Sequence, residues 1–284
     1  MSEQARLQVL VSAYGKDALQ RISTLPHPAV DGVEYIVNWQ DYDRSGIPEA
    51  IAARNDFRIF FDDSTGLSNN RNNAISLADC PLVLISDDDI SYTEEMLRCV
   101  IKGFEDFPSH GILTFRYASS NPKSYPDNSF SLASPPKGYF ASSVEIALNL
   151  PLIMQKLGEG WQTLFNPAFG LNGTHFCCGE EDIMIHRLLQ SGVEGRYIPE
   201  TIACHPGNTT SERIKNAPEF VATKGAVVAA LHPATWPLRM LTHARRASKE
   251  PALRKVGFFE YCRWWIQGVK KARRHRVFDN NRNL

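Results

Sequence analysis

The sequence predicts an α/β protein: a mostly parallel sheet with helices on both faces, plus a C-terminal basic helical extension. Three observations carry this. Short β-branched runs alternate with stretches of helical spacing between residues 7 and 205, which is the pattern of strand–helix–strand units. One of those runs, "LVLIS" (82–86), opens directly into Asp87, Asp88 and Asp89, as strands do where a sheet meets its ligand. And the charge is segregated. Residues 1–235 hold 18 Lys and Arg against 28 Asp and Glu, while residues 236–284 hold 13 against 3.

The elements follow in order. "LQVLVSAYG" (7–15) reads as a strand ending at Gly15, and "ALQRISTL" (18–25) as a short helix stopped by Pro26 and Pro28. "VEYIVNW" (33–39) and "FRIFF" (57–61) are the next strands. "LSNNRNNAISLA" (67–78) is helical and "PLVLIS" (81–86) is a fourth strand. "TEEMLRCVIKGFEDF" (93–107) is a helix with Thr93 as its N-cap and acids in its first turn. "GILTFRY" (111–117) is a fifth strand.

Residues 116–138 then break the rhythm. Pro122, Pro126, Pro135 and Pro136 make this a long loop, and such loops in compact domains are functional or disordered. "GYFASSVEIAL" (138–148) reads as strand, "LPLIMQKLG" (150–158) as helix, "EEDIMIHRLLQSG" (180–192) as helix and "GRYIPETIACH" (195–205) as a last strand, with Pro206 and Gly207 turning the chain. "FFEYCRWWIQGVKKARRHR" (258–276) is a helix mixing aromatics with cations, and 278–284 reads as frayed.

With 284 residues, 43% of them hydrophobic and 22% charged, the composition is that of one large globular domain, or one domain plus an appendage. The chain divides into 1–115, which holds the aspartates; 116–235, which holds the second acidic motif; and 236–284, the basic tail. No apolar run approaches the roughly 20 residues of a membrane span. No secretory signal is legible, and the six cysteines sit mostly in apolar runs, so a cytoplasmic protein with reduced thiols is expected. Cys177 and Cys178 beside His175 are not read as zinc ligands, because adjacent cysteines suit tetrahedral geometry poorly.

Three adjacent carboxylates repel one another unless a cation is present. Mg²⁺ or Mn²⁺ takes oxygen ligands and leaves room for substrate phosphates. A metal bridging the triplet to a diphosphate is therefore the functional reading; a solvated acidic turn with one Asp capping the next helix is the bland one.

Context decides between them. Arg71 lies upstream in "GLSNNRNNAI", and "CGEEDIMIHRLLQSGVEGRYIPETIACH" lies about 90 residues downstream. This order resembles the family 2 glycosyltransferases of the GT-A fold over roughly residues 7–207. The resemblance implies that Ser12, Ala13 and Tyr14 line a nucleotide pocket, with a ring stacking on Tyr14. It implies that Asn38 or Asp41 stands where relatives hold the base, that Gly66 admits the nucleotide close to the backbone, and that Arg71 reaches the diphosphate. Asp87 and Asp88 would contact the donor, and Asp87 and Asp89 would bind Mn²⁺ or Mg²⁺ with His205. Asp182 would be the catalytic base of an inverting transfer, with Glu181 an acceptor contact or fallback base. Trp161 and "FGLNG" (169–173) would lie near the acceptor.

The implied activity is transfer of a sugar from a nucleotide sugar, a UDP-sugar first, to a hydroxyl of a bacterial glycan or lipid-linked glycan. Two other readings remain, a nucleotidyltransferase and a non-catalytic nucleotide- or sugar-binding module. The first is weakened because "VSAYGKDALQR" (11–21) lacks a Gly-rich run. The tail would lie on an anionic inner leaflet, making the protein peripheral there, or pack within the molecule, or join an oligomer. Nucleic acid is not expected against the acidic body.

Overall fold

The computed structural model describes residues 6–121, 123–205, 218–249 and 256–277. The readings of Pro206, Gly207 and 278–284 lie outside the described residues. Internal contacts divide the chain into two units. The first is Met1–Thr65, Asn69–Leu164 and Leu188–Asn208; the second is Gly66–Ser68, Phe165–Arg187 and Thr209–Leu284.

The first unit holds one eight-stranded sheet. Its strands are β1 (Leu7–Tyr14), β2 (Val33–Gln40), β3 (Phe57–Asp62), β4 (Leu82–Asp87), β5 (Ile112–Ser119), β6 (Phe130–Ser131), β7 (Ile146–Asn149) and β8 (Gly195–His205). From edge to edge their order is β3-β2-β1-β4-β7-β5-β8-β6. β1 pairs in parallel with β2 and β4, and β2 in parallel with β3. β7 runs antiparallel between β4 and β5. β5 and β8 are parallel, and β6 closes the edge antiparallel to β8.

Every residue of β1 but Tyr14 is buried, as expected of a strand covered on both faces. Its neighbours are in register with it: Ser12 stands level with Asn38 of β2 and with Asp87 of β4. The sheet thus delivers three polar side chains in a row at the carboxyl end of its central strands.

The helices are α1 (Ala18–Thr24), α2 (Glu49–Ala52), α3 (Leu67–Leu77), α4 (Glu94–Asp106), α5 (Leu150–Leu157), α6 (Glu180–Gln190), α7 (Pro218–Leu231), α8 (Trp236–Ala247) and α9 (Phe258–Arg274). Thr93 caps α4, its hydroxyl accepting from Met96 N at 3.3 Å. Residues 138–148 differ from the continuous strand expected. Only Ile146–Asn149 is strand, after a 3₁₀ turn at Ser143–Glu145. The cause is Glu145: its buried carboxylate accepts from Ser142 N at 2.9 Å and takes Lys123 Nζ at 2.7 Å, which bends the chain there.

The same pair orders the long loop. Lys123 stands 4.3 Å above the Phe140 ring, and the Tyr125 hydroxyl donates to Glu145. Further on, Phe130 stacks on Tyr197 at 4.7 Å and Tyr139 bonds Thr114 at 2.7 Å. Burial raises the Glu145 carboxyl's pKa, while Lys123 opposes the shift.

In the second unit α7, α8 and α9 share a core of Val221, Met240, Ala244, Ala247, Tyr261, Cys262, Trp265 and Val269. Glycines let α7 and α9 touch. A Cβ on Gly225 would lie 2.4 Å from Trp265 O, and one on Gly268 only 1.8 Å from Ala222 O. The six cysteines are free thiols.

Candidate active site

In the first unit, the aspartate triplet follows β4, and each member meets a different donor. Asp87 Oδ1 accepts from Arg71 Nη2 at 3.1 Å. Asp88 is gripped by Arg21, whose Nη2 and Nε reach its two oxygens at 2.6 and 3.3 Å, and it also accepts from Tyr14 N at 3.0 Å. Asp89 Oδ2 lies 3.1 Å from His205 Nε2 at the end of β8. Backbone bonds between Ser91 and Cys204, both 2.9 Å, bring these two ends together. The mutual repulsion expected from sequence is thus offset by three separate partners. No aspartate of the triplet caps α4, since Thr93 does that.

The three carboxylates differ in exposure: 34% for Asp87, 13% for Asp88 and 45% for Asp89. Burial pushes the Asp88 carboxyl's pKa up, against the pull of Arg21 and Tyr14 N. Arg71 is 2% exposed, and its Nη2 also donates to Ser143 Oγ at 2.7 Å. Among the described contacts, Arg71 is ion-paired with Asp87.

Asp62 instead anchors a buried polar cluster. It accepts from Asn38 Nδ2 at 2.8 Å, Gln40 Nε2 at 3.1 Å, Asn73 Nδ2 at 3.0 Å and Ser64 N at 2.8 Å. Burial alone would raise its pKa, but the bonds from Ser64, Asn73 and Asn38 together hold it below the usual range. Asn70 Nδ2 ties the cluster to Ala13 O at 3.2 Å and Asn38 O at 3.0 Å. Asn38 is therefore committed to holding β1, β2 and α3 together. Sequence reading missed Asp62, Asn70, Arg21 and Ser143. Asn70 sits one residue before Arg71 in "SNNRNN" (68–73), which was the available signal for it.

Two side chains at the end of β1 stand apart from these networks. Tyr14 is 52% exposed at the end of β1. Ser12 Oγ is buried with no hydrogen-bond partner among the described residues, and buried polar atoms of that kind call for a ligand or water. No three His, Cys, Asp or Glu side chains among the described residues form a metal-holding group. The Asp89–His205 pair, with Asp87 two residues away, is a donor set of carboxylate oxygen and imidazole nitrogen. It fits an ion that keeps most of its positions for phosphate oxygens and water.

Gly66, Glu181 and Asp182 belong to the second unit. Gly66 has φ +94°, and a Cβ there would lie 3.0 Å from Asn172 O, so glycine is required twice over. Leu67 N donates to Leu171 O at 2.9 Å and Ser68 Oγ to Phe169 O at 2.7 Å, which sets this stretch against the "FGLNG" turn. Gly179, at φ +90°, precedes α6, and a Cβ there would meet Val227 at 2.5 Å. Glu180 is buried, whereas Glu181 and Asp182 are half-buried in the first turn of α6, where the helix dipole favours carboxylates. A cavity of about 240 Å³ lies beside the "FGLNG" turn, lined by Gly170, Asn172, Phe176, Thr223 and Lys271 among others.

A mostly parallel sheet with an acidic cluster beyond the carboxyl end of β4 is the arrangement expected of the GT-A fold. Residues 40–160 match the family model of glycosyl transferase family 2. That match includes Gly66, Arg71 and the aspartates; β1, Asp182 and His205 lie outside it. No curated protein sequence matches the chain.

Among solved structures, the chain is similar to S. aureus TarS 1–349 in complex with UDP-GlcNAc. The TM-score is 0.60 at 14% identity, covering 98% of this chain and 89% of that one. For TarS 1–349 without that ligand the TM-score is 0.54 at 11% identity, over 95% and 92%. For S. aureus TarS the TM-score is 0.54 at 13% identity, with 93% of this chain covering 54% of that one. The chain thus carries, over residues 40–160, a match to glycosyl transferase family 2, within a fold similar to that of TarS.

Proposed function

We propose that this glycosyltransferase is metal-dependent and inverting, and that it moves one sugar from a UDP-sugar to a hydroxyl of a bacterial glycan, free or lipid-linked. The observation that carries the reading is the Asp89–His205 pair, 3.1 Å apart at the sheet's carboxyl end beside Asp87. UDP as the carrier is supported by the UDP-GlcNAc bound to the structurally similar TarS. A cytoplasmic setting, at or near the inner face of the cell membrane, would suit a lipid-linked acceptor.

In this reading the exposed Tyr14 ring stacks on the base, and the Ser12 hydroxyl and the Ala13 backbone line the nucleotide. Asp89, Asp87 and His205 would hold Mn²⁺ or Mg²⁺, and the ion would supply Lewis-acid chemistry to a departing diphosphate. Arg71, buried and engaged by Asp87 and Ser143, acts by fixing Asp87 in place. Asp88, bound to Arg21, fixes the triplet's backbone beside Tyr14. The Gly66 backbone admits the nucleotide closely.

The half-buried Asp182 carboxylate takes the proton of the acceptor hydroxyl. The hydroxyl oxygen forms a bond to the anomeric carbon from the face opposite the diphosphate. The bond to the diphosphate oxygen breaks, and its electron pair leaves on UDP. Glu181 positions the acceptor, and residues 116–235 shape its site. The cavity beside the "FGLNG" turn is of a size for one sugar.

The test uses the slow release of UDP from UDP-sugars to water. Asp182→Asn should lower that turnover by about 10²–10⁴-fold with UDP affinity retained. Asp89→Ala should lose the affinity itself. A variant Asp182→Asn with wild-type turnover would remove Asp182 from the mechanism.

A further inference from the structure

Helix α9 was the sequence's candidate for a membrane surface, but apart from Phe259, 85% exposed in its first turn, its large apolar side chains are buried or partly buried. Tyr261, Cys262, Trp265 and Val269 are buried in the second unit's core. Helix α8 is different. Its inner side gives Met240, Ala244 and Ala247 to that core. Its outer side leaves Leu238 67% and Leu241 38% exposed.

At 100° per residue, Leu238, Leu241 and Arg245 share this outer face, flanked by the exposed Arg239 and Arg246, and the exposed Lys249 follows the helix end. No Asp or Glu occurs between residues 232 and 249. Cations in the last turn would satisfy the helix dipole by themselves. That account leaves Leu238 and Leu241, in the first two turns, unexplained.

Exposed apolar side chains followed by cations in the last turn are what an anionic bilayer selects: leucines enter the acyl boundary while arginines meet phosphate headgroups. We infer that the outer face of α8 docks this enzyme on an anionic lipid surface through Leu238, Leu241, Arg245 and Arg246. This sharpens the proposed membrane setting but does not depend on the proposed donor chemistry.

The test is co-sedimentation of the full chain with phosphatidylcholine vesicles, with and without phosphatidylglycerol. Two exposed-face variants are compared, Arg245→Gln/Arg246→Gln and Leu238→Ser/Leu241→Ser, each checked for an unchanged melting temperature. The inference expects binding to the anionic vesicles alone. It expects a loss of about 25-fold in the arginine variant, at about fivefold per cation, a clear loss in the leucine variant, and weakening with salt.

Equal sedimentation of the variants and wild type, or none with anionic vesicles, would overturn it. So would a lipid-free dimer abolished by the same variants, which would assign the face to a second copy. Binding to an RNA oligonucleotide, lost in the arginine variant and without vesicle binding, would overturn it too. UDP binding by the same samples separates failure here from failure of the donor site.

Discussion

Arg21 and Asp88 form a two-toothed ion pair, 2.6 and 3.3 Å, in which the aspartate is the more buried partner. The pair also holds Tyr14, since Arg21 Nη2 donates to Tyr14 O at 2.8 Å and Asp88 accepts from Tyr14 N. The middle aspartate of the triplet is thus a fastener between β1, α1 and the loop after β4. Its neighbours Asp87 and Asp89 are left more open.

This assigns different costs to adjacent positions. Asp88→Ala should destabilise the protein by about 1.5–3 kcal/mol, the worth of hydrogen bonds to a charged group. Asp89→Ala, on a carboxylate 45% exposed, should cost about 1 kcal/mol or less. Urea unfolding of the two variants checks this. Equal losses would show that Asp88 is not the fastener.

Arg71 is a buried cation whose described partners include Asp87 and Ser143. Arg71→Met keeps the stem's packing but leaves Asp87 without its donor. Because Asp87 is 34% exposed, water takes over part of the lost interaction. The expected cost is about 1–3 kcal/mol, below the 3–5 of a fully buried pair. Arg71→Lys should recover only part of it, since an ammonium cannot span two acceptors as a guanidinium does. Chemical denaturation of both variants reads the difference.

Gly268 packs its bare α-carbon against the backbone of α7. A methyl there would sit 1.8 Å from Ala222 O, a distance that forces the helices apart. Gly268→Ala should cost about 3 kcal/mol or more, at the upper end of overpacking penalties, although alanine favours helix. A loss below about 1 kcal/mol in thermal or urea unfolding would contradict the contact.

His243, on α8, lies 5.3 Å from the Trp265 ring. Burial, then Lys224, Arg246 and Arg239, bring its pKa down from 6.5 to about 4. As pH falls below 6.5 the unfolded chain takes this proton first, so stability drops between pH 6.5 and about 4. His243→Phe should flatten that slope by at most about 1.4 kcal/mol per pH unit. Unfolding at a series of pH values with an unchanged slope would sink this assignment.

Much of this was legible beforehand, for identifiable reasons. The strands from "LQVLVSAYG" (7–15) to "RYIPETIACH" (196–205) were readable because they are apolar and bounded by turn residues. α4 was readable because Thr93 and two glutamates mark its start. α7 was not, because "PEFVATKGAVVAAL" is apolar all round and shows no stripe. Strand was over-read at 138–148, where the buried Glu145 bends the chain toward Lys123. At the site, the aspartates stood out by adjacency. Their partners Arg21, His205 and Arg71 are 67, 116 and 16 residues away, and no local pattern pairs residues so distant.

The central claim is that Asp89 and its neighbours bind a nucleoside diphosphate through a divalent ion. The most direct measurement is calorimetric titration of UDP with and without Mn²⁺, on the wild type and on Asp89→Ala. The account predicts binding by the wild type that requires Mn²⁺ and is lost in Asp89→Ala. UDP binding of equal strength without the ion, or unchanged in Asp89→Ala, would contradict it.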